Sequence, residues 1–392
     1  MKLSKRVETL TPSTTLAITA KAKELKQQGI NVISFGAGEP DYNTPDHIIE
    51  AAYQSMKEGQ TKYTPAAGLP ELRKAICEKL KTDNDLTYDI SNICVCSGAK
   101  HALYNIFQVM CDPGDEVIIP IPYWVSYPEQ VKLASATPVY IEGLESNNFK
   151  ITAQQLDAAI TSKTKALVLN SPSNPSGTVY TKDELEAIAE VCINRDIYVI
   201  SDEIYEKLIY DDTVHVSIAS LNEEIFKRTL VVNGVSKPYS MTGWRIGYVA
   251  GNKEIIKAII DLSSHSTSNP TTMAQWGSLV ALTETQQPLV EMVTEFDKRR
   301  KAMTELLNDI DGITCSLPKG AFYAYANVSQ LLKDEIKTSD EWAKALLEKA
   351  NVAVIPGSAF GSDNHIRLSY ATSMNNIEEG IKRIKQYVLD NK

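Results

Sequence analysis

One lysine lies in a setting that suits covalent chemistry. Lys237 belongs to the segment VVNGVSKPYSMTGWRIGYVAG (231–251), where a strand predicted over 229–233 ends in a turn of Gly, Ser and Pro residues. An amine held in a partly desolvated cleft has a lowered pKa and can form a Schiff base with an aldehyde cofactor. Ser236 and Arg245 are of the types that hold a phosphate dianion. The alternative is a solvated turn lysine without catalytic function.

A carboxylate that follows another predicted strand is suited to hold a charged ring. Asp202 comes directly after the strand predicted over 197–201. One interpretation is an acid that caps a helix. In the other, the carboxylate pairs with the protonated pyridine nitrogen of a cofactor, which keeps the ring an electron sink for a carbanion at the substrate Cα atom.

The segment SGAKHALYNIFQVM (97–110) favours the binding of an anion. It follows a strand predicted over 93–96, and we expect Ser97 to be the N-cap of a helix. Small residues at a helix start let backbone N–H groups approach a phosphate, and the helix dipole favours the negative charge. Any capped helix shares this pattern, but together with Lys237 and Arg245 it predicts a phosphate site.

These candidate residues must be positioned by a sheet. Short apolar runs alternate with helical stretches from about residue 70 onward, which predicts an α/β fold with a large, mostly parallel, doubly wound sheet. Ligands bind at the carboxyl ends of the strands in such sheets, and each candidate above follows a strand. The seven predicted strands cover residues 93–96, 116–120, 138–141, 166–170, 197–201, 229–233 and 246–250.

The length of the chain predicts two domains. A chain of 392 residues exceeds the usual size of one hydrophobic core. A helix predicted over 289–307, rich in charge and free of Gly and Pro, leads into the second part of the chain. We expect a large domain over residues 48–285. Residues 1–47 and 286–392 form the predicted smaller α+β domain, with a last helix over 375–389.

Composition argues against several classes of function. The chain is 43% hydrophobic and 23% charged, with a net charge of −9, which argues against binding to nucleic acid or to an anionic membrane. The basic N-terminal residues are not followed by an apolar core of signal-peptide length, and no stretch approaches 18 apolar residues. We therefore expect a cytoplasmic protein.

The cysteines and histidines do not show the spacing of a metal site, so no metal is predicted. Cys94 and Cys96 are close in sequence, but on a strand they point to one face, and we expect buried free thiols. The residues considered are Cys77, Cys94, Cys96, Cys111, Cys192, Cys315, His47, His101, His215, His265 and His365.

Several motifs, in one order along the chain, resemble a known family. They are SGAK (97–100), NSPSNPSG (170–177), SDEIY (201–205), SKPYSMTGWRIG (236–247) and HIRLS (365–369). Together they resemble the fold-type I aminotransferases that use pyridoxal 5′-phosphate (PLP), closest to the prokaryotic aspartate aminotransferase branch. The resemblance covers nearly the whole chain and implies the PLP-transferase fold of type I.

For the cofactor, the resemblance implies a complete set of contacts. Lys237 is the lysine that binds PLP, and Asp202 is the partner of the pyridine nitrogen. Tyr205 and Asn174 are expected to reach the phenolate oxygen. The implied phosphate cup consists of Ser97, Gly98, Ala99, Lys100, Ser236 and Arg245.

Two aromatic residues complete this implied cofactor site. Trp124, which could otherwise pack its loop onto the core, is expected to stack on the pyridine ring. Tyr63, in the turn TKYTPAAG (61–68), is expected to reach the phosphate of the neighbouring subunit. The resemblance therefore implies a homodimer with shared active sites.

The resemblance also implies a set of substrate contacts. Arg367 is predicted on an edge strand of alternating character, where an arginine is ordinarily solvated or salt-bridged, but it matches the clamp for the substrate α-carboxylate. The backbone at Gly38 is expected beside the same carboxylate. Lys100 matches a lysine that meets the distal carboxylate of a dicarboxylate. The further substrate residues implied are Thr14, as part of the pair Ser13 and Thr14, with Trp124 and Asn174.

The implied reaction is the transfer of an amino group from L-aspartate to 2-oxoglutarate, which gives oxaloacetate and L-glutamate, with Lys237 as the base. Activity on aromatic amino acids or prephenate stays open, although members that use prephenate tend to carry a basic residue where this chain has Thr11. A PLP-dependent β-lyase would share every cofactor residue. A PLP-binding regulatory domain is disfavoured, because the chain has no basic segment for a DNA-binding module.

Overall fold

The described part of the chain is organised around one large sheet and two small ones. The computed structural model describes residues 3–333 and 335–391, so residues 1, 2, 334 and 392 of the predicted smaller domain lie outside it. The strands are β1 (Ile33–Ser34), β2 (Ile93–Cys96), β3 (Glu116–Ile121), β4 (Thr137–Glu142), β5 (Thr164–Asn170), β6 (Tyr198–Asp202), β7 (Thr229–Gly234), β8 (Gly247–Ala250), β9 (Tyr323–Asn327), β10 (Val352–Ala353), β11 (Ile355–Pro356) and β12 (His365–Ser369).

Seven strands form the large sheet in the order β2-β8-β7-β6-β5-β3-β4. Strands β7, β6, β5, β3 and β4 pair in parallel, whereas β8 pairs antiparallel with both β7 and β2. The mostly parallel seven-stranded sheet is therefore confirmed. Every strand begins and ends within two residues of its predicted bounds.

The large sheet is covered on both faces, which explains its continuous apolar runs. In β2, Cys94 and Cys96 belong to one hydrophobic cluster, while Ile93 and Val95 belong to another. The two cysteines thus share a face, as the sequence predicts. All six cysteines are free; Cys77 and Cys111 are only partly buried, and the other four are buried.

The helices run between and around the sheets. The long helix predicted over 289–307 begins two residues earlier, because Pro288 occupies its first turn, where a missing N–H group costs no intrahelical hydrogen bond. The α-helices are α1 (Lys5–Glu8), α2 (Thr14–Gln27), α3 (Asp46–Lys57), α4 (Pro70–Asn84), α5 (Ala99–Met110), α6 (Ser126–Leu133), α7 (Ala153–Ala159), α8 (Lys182–Asn194), α9 (Glu223–Arg228), α10 (Lys253–Ser264), α11 (Thr272–Thr283), α12 (Gln287–Asn308), α13 (Ser339–Ala345) and α14 (Met374–Asp390). None of these described helices combines the length and the apolar character needed to span a membrane.

The C-terminal part of the chain forms a second, antiparallel sheet with the order β11-β12-β9. Strand β1, from the N-terminal segment, pairs in parallel with β10. The strand that carries Arg367 is thus the central strand of its sheet, and all five of its residues are buried. The prediction of an edge strand of alternating character was wrong, because β12 lies between β11 and β9 and is buried along its whole length. The division into domains at residues 48 and 285 stays a prediction.

Candidate active site

Most of the predicted site residues line one cavity of about 470 Å³. It lies at the carboxyl ends of the parallel strands, where β5 ends at Asn170, β6 at Asp202 and β7 at Gly234. Residues distant in sequence meet there because parallel strands present the same end to one edge of the sheet. The predicted residues that line the cavity are Gly38, Ala99, Lys100, Trp124, Asn174, Asp202, Tyr205, Ser236, Lys237, Arg245 and Arg367.

The side chain of Lys237 lines this cavity and comes from the turn after β7. Its Nζ atom donates a hydrogen bond of 2.6 Å to the carbonyl oxygen of Gly38. Desolvation lowers the pKa of the amine to about 8; Glu39 opposes this effect, and Arg245, Arg367 and Lys100 add to it. The uncharged fraction near neutral pH is therefore larger than for an ordinary lysine, and an uncharged amine is the form that attacks a carbonyl carbon.

Asp202 is the last residue of β6 and is only 3% exposed. Its Oδ2 atom accepts a hydrogen bond of 2.7 Å from the Tyr127 hydroxyl, and its Oδ1 atom accepts one of 3.3 Å from the Ile204 amide. Burial raises the pKa of the carboxyl to about 6, against the effect of these hydrogen bonds. A turn and not a helix follows, so Asp202 is not a helix cap. A cation in the cavity would favour its ionised form.

The start of α5 forms a cradle that only small residues permit. A Cβ atom on Gly98 would lie 2.3 Å from Nη2 of Arg245, and one on Gly247 would lie 2.2 Å from the Ala99 nitrogen. Among the described residues, the Ala99 and Lys100 amides have no protein acceptor. Open amides at a helix N-terminus beside a guanidinium group are suited to bind a phosphate.

Ser97 is not the N-cap that the sequence predicts. The cap residue is Gly98, with φ of 89°, and no side chain caps the helix. The Ser97 amide donates to Nδ1 of His101 at 3.2 Å, and its carbonyl oxygen accepts from Nη2 of Arg245 at 3.3 Å. Ser97 and Gly98 therefore position Arg245 and the start of α5, but they do not line the cavity themselves.

Arg367 reaches the cavity from β12 and is only 2% exposed. Its Nη1 atom donates to Oδ1 of Asn174 at 2.9 Å, and its Nη2 atom donates to the carbonyl oxygen of Gly36 at 3.1 Å. Both acceptors are neutral, and Nε has no partner among the described residues. Burial lowers the pKa of the guanidinium. A buried cation with neutral partners favours an anionic ligand such as a carboxylate.

A second cation, Lys100, lies at another wall of the cavity. Its Nζ atom lies 4.8 Å from the centroid of the Trp124 ring. Burial, with the charge of Arg245, lowers the pKa of this amine. The cavity thus holds three cationic side chains besides Lys237, although the chain as a whole is acidic.

The start of the N-terminal helix α2 contributes to the cavity through Ser13, one residue of the predicted pair, and through Thr15. Ser13 and Thr15 line the cavity, and Thr14 does not. Successive side chains of a helix point about 100° apart, so a neighbour of a lining residue can face away from it. The Oγ1 atom of Thr15 is buried without a hydrogen-bond partner among the described residues.

Tyr63 lies outside the cavity of its own chain. Its side chain is 89% exposed, in the turn that precedes α4. This position does not test the predicted contact with a neighbouring subunit, which stays a prediction.

Sequence reasoning missed two tyrosines of the site, Tyr127 and Tyr323, which both line the cavity. Tyr127 holds Asp202, as described above. Tyr323, the first residue of β9, contacts Tyr205 through a hydrogen bond of 3.0 Å between the hydroxyl groups. The partners are 75 and 118 positions apart, so no local sequence pattern signals either contact.

The fold also gathers one histidine with two glutamates, although the sequence spacing predicts no such group. Donor atoms of His215, Glu203 and Glu206 lie within 4.8 Å of one another, a separation that could hold a metal ion. Nε2 of His215 lies 3.1 Å from Oε2 of Glu203. Glu206 contacts the ammonium group of Lys79, and this charge already neutralises one carboxylate.

Comparisons with known proteins agree with one another. A family model described as aminotransferase class I and II matches residues 30–384. The chain is 58% identical over 389 residues to the aspartate aminotransferase of Bacillus subtilis (strain 168), with 99% of each chain covered.

Two solved structures show the same fold. The aspartate aminotransferase of Rhizobium meliloti is similar with a TM-score of 0.96 and 42% identity, and the match covers 99% of each chain. The aspartate aminotransferase of Thermus thermophilus with maleate is similar with a TM-score of 0.94 and 45% identity, covering 98% of this chain and 99% of that one.

Proposed function

The chain belongs to the aminotransferase class I and II family, and on that premise we propose that it transfers the amino group of L-aspartate to 2-oxoglutarate with PLP as cofactor. The products are oxaloacetate and L-glutamate. The observation that carries this proposal is the meeting of Lys237, Asp202, Arg367 and Lys100 in one cavity at the carboxyl edge of the large sheet.

The residues present fit PLP. The open amides of Ala99 and Lys100, with Arg245 beside them, suit its phosphate. Asp202 suits its pyridine nitrogen, and the amine of Lys237 suits its aldehyde. When bound, PLP supplies a carbonyl group that condenses with amines and a protonated ring that withdraws electrons from the substrate Cα atom.

Lys237 performs two tasks in this proposal. In the resting enzyme its Nζ atom would hold the aldehyde carbon of PLP as a Schiff base, with the carbonyl oxygen released as water, and its lowered pKa favours the uncharged amine that this requires. With an amino-acid substrate bound, the same Nζ atom, then free, would be the base that takes the proton from the substrate Cα atom. The hydrogen bond to the carbonyl oxygen of Gly38 holds the amine at this side of the cavity.

Other side chains orient the reacting groups. Asp202, when ionised, keeps a proton on the pyridine nitrogen, and Tyr127 favours that ionised state through its hydrogen bond. Because Oδ1 of Asn174 accepts from Arg367, its Nδ2 group is left to donate into the cavity. The Tyr205 hydroxyl is a second donor for the phenolate oxygen. Trp124 supplies an aromatic wall that suits stacking on the ring.

The substrate class follows from the two cations that the cofactor does not use. Arg367 suits the α-carboxylate, which all amino-acid and 2-oxo-acid substrates share. Lys100 suits a second, distal carboxylate, which aspartate and 2-oxoglutarate both carry. The B. subtilis relative supports this choice through its name, and the T. thermophilus structure supports it through the dicarboxylate in its title.

We further propose a cytoplasmic homodimer, with residues 48–285 as the large domain. The exposed Tyr63 ring supports a contact with a second copy, because it lies outside the cavity of its own chain. Sedimentation of the active enzyme tests this assembly. An active monomer would contradict it.

An amino-donor screen with 2-oxoglutarate tests the proposed activity. We expect purified protein with PLP to give the highest kcat/KM with aspartate and to form oxaloacetate and glutamate in equal amounts. Ammonia and loss of a β-substituent would indicate a β-lyase. A higher kcat/KM for phenylalanine or for prephenate as acceptor would contradict the choice of aspartate.

A further inference from the structure

Tyr323 contacts residues on both the cofactor side and the substrate side of the proposed site. The sequence alone predicts no role for it. It is the first residue of β9 in the small sheet, is fully buried, and lines the cavity. It reaches the cofactor side from the same sheet that carries Arg367, since Tyr323 pairs with Ser369 of β12.

The side chain makes two contacts with different functions. Its hydroxyl oxygen lies 3.0 Å from the hydroxyl oxygen of Tyr205, the proposed donor to the cofactor. Its ring centroid lies 4.4 Å from Cζ of Arg367, the proposed clamp for the α-carboxylate. One side chain therefore contacts both the cofactor-side hydroxyl and the substrate-side cation.

The number of available protons decides which hydroxyl donates in the hydrogen bond between Tyr205 and Tyr323. Burial raises the pKa of Tyr205 and of Tyr323, so each phenol keeps its single proton near neutral pH. If Tyr205 donates that proton to the phenolate oxygen of the cofactor, it has none left for Tyr323. Tyr323 must then be the donor, and Tyr205 the acceptor, in the bond between them.

The ring contact fixes the cation. The guanidinium of Arg367 lies over the rings of Tyr323 and Phe360, whose centroids are 4.4 and 5.1 Å from Cζ. Contact with two rings restricts the orientation of a flat cation, and the plane of the guanidinium decides whether both carboxylate oxygens can be bound. Loss of the Tyr323 ring would remove one of these two contacts.

Resting on the proposed function, we propose that Tyr323 is a positioning residue with two separable roles. Its hydroxyl directs the Tyr205 proton toward the cofactor, and its ring holds the plane of Arg367 for the substrate. Loss of the hydroxyl should therefore change kcat and the absorbance of the bound cofactor. Loss of the ring should change the KM of every amino donor.

Two substitutions separate these roles. Tyr323→Phe keeps the ring and removes the donor, so we expect kcat to fall about 3- to 10-fold with little change in KM. In the same variant, the pH midpoint of the change in visible absorbance of the holoenzyme should rise by about 0.3–0.7 units. Without the Tyr323 hydroxyl, Tyr205 is a weaker donor to the phenolate oxygen, so the titrating group of the bound cofactor becomes more basic. Tyr323→Leu should in addition raise the KM of all amino donors about 10-fold.

A control residue lies on the same strand. Tyr325 is buried two positions along β9, faces Arg367 across the strand pair, and is outside the active-site cavity. Tyr325→Phe should leave kcat, KM and the absorbance midpoint at their wild-type values.

The outcomes discriminate between this inference and the proposed function. A wild-type protein without transaminase activity and without a titrating visible band would overturn the proposed function itself. An active wild type, with Tyr323→Phe equal to Tyr325→Phe in kcat and midpoint, would overturn the hydroxyl role alone. If Tyr323→Leu does not fold, judged by circular dichroism, Tyr323→Phe still decides the hydroxyl role.

Discussion

The Tyr127 hydroxyl donates a hydrogen bond of 2.7 Å to Oδ2 of Asp202, and both side chains are almost fully buried. Burial raises the pKa of the Asp202 carboxyl to about 6, while this hydrogen bond lowers it. The balance leaves Asp202 ionised at neutral pH, which the proposed mechanism requires. Tyr127 thus helps to keep the charge that the proposed mechanism places beside the pyridine ring of PLP.

Tyr127→Phe tests this relationship. The substitution removes a donor to the ionised carboxylate, so the pKa of Asp202 should rise by about 0.5–1 unit. The acid limb of the kcat/KM profile for aspartate should move to higher pH by a similar amount. A profile from pH 5 to 9 that coincides with that of the wild type would show that the hydrogen bond is only structural.

Asp202→Asn tests the need for the charge itself. An amide cannot favour the pyridinium, so we expect kcat to fall by roughly two orders of magnitude or more. Retention of PLP should suffer less, because the phosphate cradle is unchanged. Cofactor absorbance and kcat measured on the same preparation check both parts. A near-normal kcat would contradict the role assigned to Asp202.

Lys100→Ala tests the choice of substrate. Loss of this cation leaves the distal carboxylate of aspartate unpaired, and kcat/KM for aspartate should fall by about 2–5 kcal/mol in transition-state stabilisation. Phenylalanine, which has no distal charge, should lose much less. Lys132→Ala is a suitable control, since Lys132 pairs with Glu129 and does not line the cavity. An equal loss for both donors would exclude Lys100 as the discriminating residue.

The buried pair of His215 and Glu203 predicts a pH dependence of stability. Burial alone would lower the pKa of His215, but the hydrogen bond and charge of Glu203, with the charge of Glu206, outweigh burial and the opposing charge of Lys79 and raise it. The folded pKa therefore exceeds the unfolded one. The stabilisation is complete below the unfolded pKa of about 6.5 and is lost as pH rises through the folded pKa.

His215→Gln should accordingly destabilise the protein more at pH 6 than at pH 9. We expect the free energy of unfolding to fall by roughly 2 kcal/mol at pH 6, because a charged hydrogen bond is lost. Urea unfolding at both pH values measures this, with His265→Gln as the exposed control. A loss of unfolding free energy that is larger at pH 9 than at pH 6 would contradict this prediction.

The sequence was informative wherever function depends on the ends of buried strands. The runs around Val168, Ile200 and Val232 are apolar because helices cover both faces of the sheet, so the strands and the residues that follow them could be predicted. Lys237 and Asp202 were found in this way.

The sequence failed where a role depends on a distant partner. Arg367 reads as a solvated edge-strand residue until the fold buries it beside Asn174, 193 positions away. Tyr323 reads as one aromatic among several in GAFYAYANV (320–328). Ser97 reads as a helix cap because serine favours that position, yet the close approach of Arg245 requires the glycine that follows it.

The covalent site on Lys237 is the central claim, and borohydride reduction tests it most directly. Two lysines, Lys100 and Lys237, line the cavity, so the experiment has a built-in competitor. Purified protein loaded with PLP should be yellow, and reduction should fix the cofactor onto Nζ of Lys237, as peptide mass mapping would reveal. Reduction onto Lys100, or onto no lysine of the cavity, would contradict the account.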